Sequence, residues 1–432
     1  MNTLQPFAHI ANRHNPYRSK LSALFGLLGM FALLVLIAPS AFAQAPAPAG
    51  ATAFKINSAV LGEERTILVR VPAGYETNKQ KHPVLYMTDG NAHISHTGST
   101  VEFLARNGRM SEMIVVGITN TDRTRDLSPT HVTTTVGGGN TALQFPTSGG
   151  ADKFLKFIET ELIPEIEKRY RTQPYRILAG HSLGGLFAIH AMLSRPDVFQ
   201  SYVAVSPALQ WDNQVVVKRA EDFFKERKEY QATLFVTLGN EPGPIDDGFH
   251  QFKQVLAKQQ TKGFEWEAKQ LDDEDHGSVV LRSHYYAMRK VYDGWQVPRD
   301  PNTGRFAGDF KAVEEHYQKL SQKFRYPVPV PEPLINQLGY QSLFAGRSDE
   351  AIAIFKTNVE RYPDSANVYD SLAEAYERGG RLDLAAPLYE KAQTLGQQNH
   401  DPNLAIYKTN YERVSEKLKQ AAAGGSGGAK KN

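Results

Sequence analysis

The 432-residue chain has no cysteine, which excludes disulfides, thiolate metal sites and a cysteine nucleophile, and removes thiol usage as a guide to redox compartment. It also lacks a strong charge of either sign. Its 49 Lys and Arg stand against 46 Asp and Glu, and the formal net charge of +3 is scattered along the chain. No basic face for nucleic acid is expected from that balance. Long apolar runs are scarce as well, and the one from Leu21 to Ile37 is flanked in a particular way: Arg18 and Lys20 precede it, Pro39 breaks it, and Ala41-Phe42-Ala43 supplies small residues where a signal peptidase cuts. This predicts a signal peptide over residues 1–43, cleaved before Gln44, and hence a secreted or periplasmic protein with no stable membrane insertion after cleavage. The alternative is an uncleaved anchor, since the run reaches only the lower end of the ~17 to 25 residues that span a bilayer.

Residues 44–53 form a Pro/Ala-rich linker in this reading. From 54 to 296 short β-branched or apolar runs alternate with longer helical patterns, which predicts an α/β fold with a mostly parallel central sheet. Expected strands are Thr66–Val71, Pro83–Met87, Met113–Ile118, Arg176–Leu178, Ser201–Val205, Leu234–Leu238 and Phe264–Ala268, with a crossover helix over 151–170. Pro- and Gly-rich stretches then bound a linker, 297–331, that holds one helix over Asp309–Phe324. Beyond it the chain repeats at an offset of 34 residues: Leu338 matches Leu372, Gly346 matches Gly380, Ala351 matches Ala385 and Phe355 matches Tyr389. That period predicts a small all-α tetratricopeptide-like domain over 332–420, with a further helix over Leu404–Leu418 and a disordered tail over 421–432.

The stretch "LAGHSLGG", Leu178 to Gly185, carries the chemistry. Gly-x-Ser-x-Gly between a strand and a helix is a nucleophile elbow: the serine takes a strained backbone conformation, and the glycines remove Cβ atoms that would collide there. Ser182 is therefore the expected nucleophile, at a helix N-terminus that favours a developing oxyanion. A serine hydroxyl needs a base, and in the chain order of such hydrolases the acid and then the histidine follow the serine. His276, in "DDEDHGSVV" after the last expected strand, fits the base. His181, His190, His250 and His284 read as packing or surface residues. For the acid, "GNEPGPIDDGF" offers Glu241, nearest the strand end, with Asp247 as the alternative. The Leu183 amide, next to the nucleophile, is one oxyanion donor, and Asn91, after the Asp89-Gly90 turn, is the other.

Together "YMTDGNAH", "GITNTDRTRDLSPTH", "GHSLGG" and "DEDHGSV", in this order, resemble the esterase D-type branch of the α/β-hydrolases, which includes siderophore esterases, S-formylglutathione hydrolases, feruloyl esterases and mycolyltransferases. The resemblance covers about Ala53 to Trp295 and is closest to periplasmic siderophore esterases, some of which are described as working with a Ser-His dyad. It implies Ser182, His276 and the amides of Leu183 and Asn91 in the roles above, and points to Arg123 and Arg125 as substrate-binding residues, which could equally pair with acidic neighbours. The tetratricopeptide-like extension is absent from short members of the branch.

The Gly-rich "HVTTTVGGGN" lacks the Lys-Ser/Thr of a phosphate loop and reads as a mobile segment on the substrate side. His93 and His96 are not completed by a carboxylate-histidine pattern, so neither metal nor cofactor is expected. The expected function is serine-dependent hydrolysis of a carboxylic ester, a siderophore or another acylated small molecule, through an acyl-enzyme. Acyl transfer by the same serine, or a scaffold binding a partner protein or a second copy of itself through the repeats, are the alternatives.

Overall fold

The apolar runs of the central region assemble into one sheet. In chain order its strands are β1 (Thr52–Ser58), β2 (Glu63–Arg70), β3 (His82–Met87), β4 (Ile114–Ile118), β5 (Thr172–His181), β6 (Ser201–Val205), β7 (Glu229–Leu238) and β8 (Lys262–Gln270). Across the sheet the order is β1-β2-β4-β3-β5-β6-β7-β8. β2 is antiparallel to β1 and β4, and every pairing from β4 onward is parallel. This computed structural model describes residues 48, 50–132, 145–304 and 306–425. The expected signal peptide, half of the Pro/Ala linker and all but the first two residues of the Gly-rich stretch lie outside them.

The helices of this region are α1 (Gly90–Arg106), α2 (Arg123–Leu127), α3 (Ala151–Phe157), α4 (Ile163–Arg169), α5 (Leu183–Ser194), α6 (Trp211–Glu226), α7 (Pro244–Lys258) and α8 (Val279–Val291). Side chains alternate across a strand, so a parallel sheet needs apolar cover on both faces. Val84, Tyr86, Val116 and Leu178 face α3 to α7. Leu85, Met87, Val115 and Ile177 face α1 and α8. The crossover segment 151–170 is interrupted by a π-helical turn at Ile158–Leu162. There Glu161 accepts hydrogen bonds from the Ser58 hydroxyl and, at 2.9 Å, from the Val60 amide.

Six helices follow: α9 (Phe310–Phe324), α10 (Glu332–Phe344), α11 (Ser348–Arg361), α12 (Ala366–Arg378), α13 (Leu382–Gln398) and α14 (Leu404–Gly425). The offset of 34 residues survives in three dimensions. Gly346 and Gly380 turn between paired helices with φ of 77° and 75°. Ala351 and Ala385, like Phe355 and Tyr389, are wholly buried. Positive φ at both turns is the reason for glycine there.

Three expectations need correction. The linker ends early, because Thr52 and Ala53 already pair with Val69 and Leu68 in β1. Helix α14 runs through residues 421–425, where a disordered tail is expected, and 426–432 lie outside the described residues. The Pro-rich end of the second linker is no free joint: Tyr326, Val328 and Val330 are buried while Pro327 and Pro329 are exposed. These three side chains join a core that runs from Ile177 and Phe235 in the sheet, through α8 and α9, to Ile335 and Leu338 in α10.

Candidate active site

Parallel strands present their carboxyl ends along one edge of the sheet, where ligands of such folds bind. β5 ends at His181, and the chain turns sharply into α5 at Ser182, whose φ of 58° and ψ of −115° lie outside the regions open to an ordinary L-residue. The turn is tight enough to exclude side chains. A Cβ on Gly180 would lie 2.1 Å from the Gly184 carbonyl oxygen, and one on Gly184 would lie 2.2 Å from Thr88 Oγ1. The Ser182 amide donates to Val205 O at 2.9 Å, which stitches the elbow to β6.

β7, next but one to β5 in the sheet, delivers Glu241 beyond its carboxyl end. Its Oε2 lies 2.5 Å from Nδ1 of His276, on the loop that follows β8. The carboxylate is nearly enclosed, its side chain 8% exposed, whereas the imidazole is 44% exposed and open to a substrate. The other oxygen, Oε1, accepts from the Ser206 hydroxyl at 2.6 Å and from the Gly239 amide at 3.1 Å. Three donors thus fix the carboxylate, a geometry suited to orienting a ring. Asp247, the alternative acid, sits in the first turn of α7, exposed, without a bond to His276.

The two expected oxyanion donors stand at helix starts. Leu183 is the first residue of α5, and Asn91 the second of α1, so neither amide has an intrahelical acceptor. Asp89, in the left-handed conformation before α1, carries the turn that sets Asn91. Its buried carboxylate accepts from Arg123 Nε and Asn120 Nδ2, each at 2.6 Å. Burial alone would raise this pKa, and the Arg123 guanidinium overcomes it and holds the carboxyl below its ordinary value.

Arg123 is therefore committed to Asp89, and it also donates to the His181 carbonyl at 3.1 Å. It supports the elbow from beneath. Arg125 is further removed from the chemistry: its guanidinium bonds Glu63 and Asp126, in a network that Arg65 completes from inside the fold. Of the two alternatives open for these arginines, pairing with acidic neighbours is the one the structure displays.

Two residues near the chemistry escape the sequence reading. Ser206, wholly buried with φ of 38°, holds Glu241, and only its place one residue past β6 marks it. His181, read as packing, lays its ring against His276 with centroids 4.5 Å apart. Burial, and then the neighbouring His276, push the His181 pKa down to about 4. Among the described residues no group of three or more His, Asp or Glu side chains is arranged to hold a metal ion.

Comparison with known proteins gives the same outline. The family model Esterase matches residues 58–276. The ferri-bacillibactin esterase BesA of Bacillus subtilis is 29% identical over 229 residues, 48% of this chain and 76% of that protein. A siderophore triacetylfusarinine C esterase of Aspergillus fumigatus is 30% identical over 41% of this chain and 64% of its own length. Among solved structures, an IroE-like serine hydrolase of Shewanella oneidensis is 28% identical with a TM-score of 0.63, covering 72% of this chain and 99% of that one.

Proposed function

The chain belongs to the Esterase family, and from that premise we propose that it hydrolyses a carboxylic ester through a covalent acyl-enzyme on Ser182. Ser182 Oγ attacks the acyl carbon while His276 takes its proton. The Leu183 and Asn91 amides carry the negative charge on the former carbonyl oxygen. The tetrahedral intermediate collapses, the C–O bond to the alcohol breaks, and His276 returns the proton to the leaving oxygen. Water then attacks the acyl-enzyme with His276 again as base, and the free acid and Ser182 are restored. Glu241 keeps the Nδ1–H tautomer and supports the imidazolium formed at each step.

The observation that carries this reading is the Glu241–His276 pair standing at the edge from which the strained Ser182 elbow projects. The names of the relatives direct the choice of substrate to siderophore esters. The N-terminal pattern supports export to a secreted or periplasmic location, where such a substrate can be met. We read α10 to α13 as two tetratricopeptide-type units, supported by the offset of 34 residues in turns and buried aromatics.

Labelling with a fluorophosphonate probe tests the nucleophile: the wild-type protein should be labelled and Ser182→Ala should not, with turnover of a p-nitrophenyl ester lost by at least ~10³-fold. Labelling of the variant at wild-type strength would refute the assignment. Mass spectrometry of the products from ferric bacillibactin and triacetylfusarinine C, with p-nitrophenyl butyrate in parallel, tests the substrate class apart from the chemistry.

A further inference from the structure

Five imidazoles stand in contact from the exposed base to the interior. His276 meets His181 at 4.5 Å between ring centroids. His181 meets His93 of α1 edge to face at 5.7 Å, with the ring planes at 84°. His93 meets His96 at 5.3 Å, and His96 stacks on His284 of α8 at 5.9 Å. His284 is anchored by a 2.8 Å hydrogen bond between its Nδ1 and Thr97 Oγ1. The wall is thus built from β5, α1 and α8, none of them the loop that carries His276.

The ring of His276 needs such a wall. It stands on a loop, 44% exposed, and its contact with Glu241 engages a single nitrogen. One hydrogen bond fixes a point on the ring and leaves rotation about that contact open. A second contact on the ring restricts that freedom. His181 supplies it, its ring tilted at 45° to that of His276, and it also engages the His276 backbone, while among the described residues its buried Nε2 has no hydrogen-bond partner.

Resting on the reading of His276 as base, we propose that His181, backed by His93, is a positioning residue that holds the plane of the catalytic imidazole toward Ser182. An uncharged ring suits that place, because His276 becomes an imidazolium in each half-reaction, and a cation against its face would oppose it. Burial works in that direction at the four inner imidazoles: His181, His93, His96 and His284 are each held below the ordinary histidine value.

The test compares kcat and KM for p-nitrophenyl butyrate across variants of the full chain, with melting curves to establish that each is folded. Misplacing a reacting group by about 1 Å costs up to ~10²-fold. His181→Ala should therefore lower kcat ~10- to ~100-fold with KM within about twofold, and His181→Phe, which restores a flat ring, should recover kcat to within about threefold of wild type. Should His181→Ala not fold, His181→Phe and His181→Gln decide, with the ring variant active and the amide variant impaired. A folded His181→Ala within threefold of wild type, or a His181→Gln more active than His181→Phe, overturns the proposal. His276→Ala separates the two layers: if it is inactive while His181→Ala is normal, only the positioning role falls, and if it keeps turnover, the base assignment itself falls.

Discussion

The sheet region and the two helix pairs of the C-terminal part differ in where non-glycine residues carry a turn. Among the described residues eight non-glycines have positive φ: Asp89, Ser182, Ser206, Asp212, Asn213 and Gln214 follow the carboxyl ends of β3, β5 and β6, and Arg325 and His400 follow α9 and α13. Asp89 sets the Asn91 amide, Ser182 is the elbow, and Ser206 holds Glu241. In the helical repeats the corresponding bends fall to Gly346 and Gly380, where positive φ costs little. A strained residue costs on the order of 1–3 kcal/mol and persists only where its surroundings enforce it. The difference teaches where selection for geometry has outweighed selection for stability: around the serine, and not in the repeats.

The comparison is sharpened most by Glu241→Gln. The change leaves the fold intact and should lower kcat ~10²- to ~10⁴-fold, as loss of a triad carboxylate does, while Asp247→Asn stays within about threefold of wild type. Steady-state kinetics on a chromogenic ester decides it. A loss confined to Asp247→Asn would move the acid onto α7, and no loss in either variant would leave a dyad. Phe355→Ala does the reverse. Its ring is wholly buried against Tyr340, and removing it should cost ~3–5 kcal/mol by denaturant unfolding, with kcat within about twofold at temperatures where the variant is folded. A folded variant with a large loss of kcat would break the division between the two regions.

The third effect is smaller and belongs to the site. His93, His96, His181 and His284 are held below the ordinary histidine pKa by burial, so the unfolded chain takes up protons that the folded chain refuses. Their contribution to stability is complete above pH ~6.5 and is lost as the pH falls, for His181 through about 4. Urea titrations at pH 7 and pH 5 should show it in the wild type, and replacing the fully buried His284 by Phe should flatten the slope. An unchanged midpoint between these pH values would show that the imidazole wall is not what acid attacks.

The strand ends that bear the site are legible in the sequence because each motif has a local cause. Gly180 and Gly184 announce a turn too tight for side chains, and Glu241 and His276 each follow an apolar run in the right chain order. What escapes is what depends on contacts between distant segments. Ser206 looks like any loop serine until β7 brings Glu241 within 2.6 Å of it. His181 reads as packing because nothing local shows that a loop nearly a hundred residues later returns to its face. Arg125 is legible only in part: Asp126 is its neighbour in the chain, whereas Glu63 comes within reach only when α2 docks on β2. At the N-terminal edge, β1 is hidden by its mixed pattern "TAFKINS", an edge strand with too little buried surface to announce itself.

The strap at Tyr326–Val330 has a mechanical consequence. Its apolar residues point inward at every second position between prolines, Val328 N bonds Ser321 Oγ at 2.9 Å, and Val330 O accepts from Tyr362 OH at 2.7 Å. Proline restricts the backbone before folding begins, so little freedom is left for the strap to recover by coming loose. The joint therefore works as a weld rather than a hinge. A force applied to α11 passes through Tyr362 and the strap into the sheet that carries Ser182, with no slack segment to absorb it, and whatever touches those helices is held at a fixed lever arm from the serine.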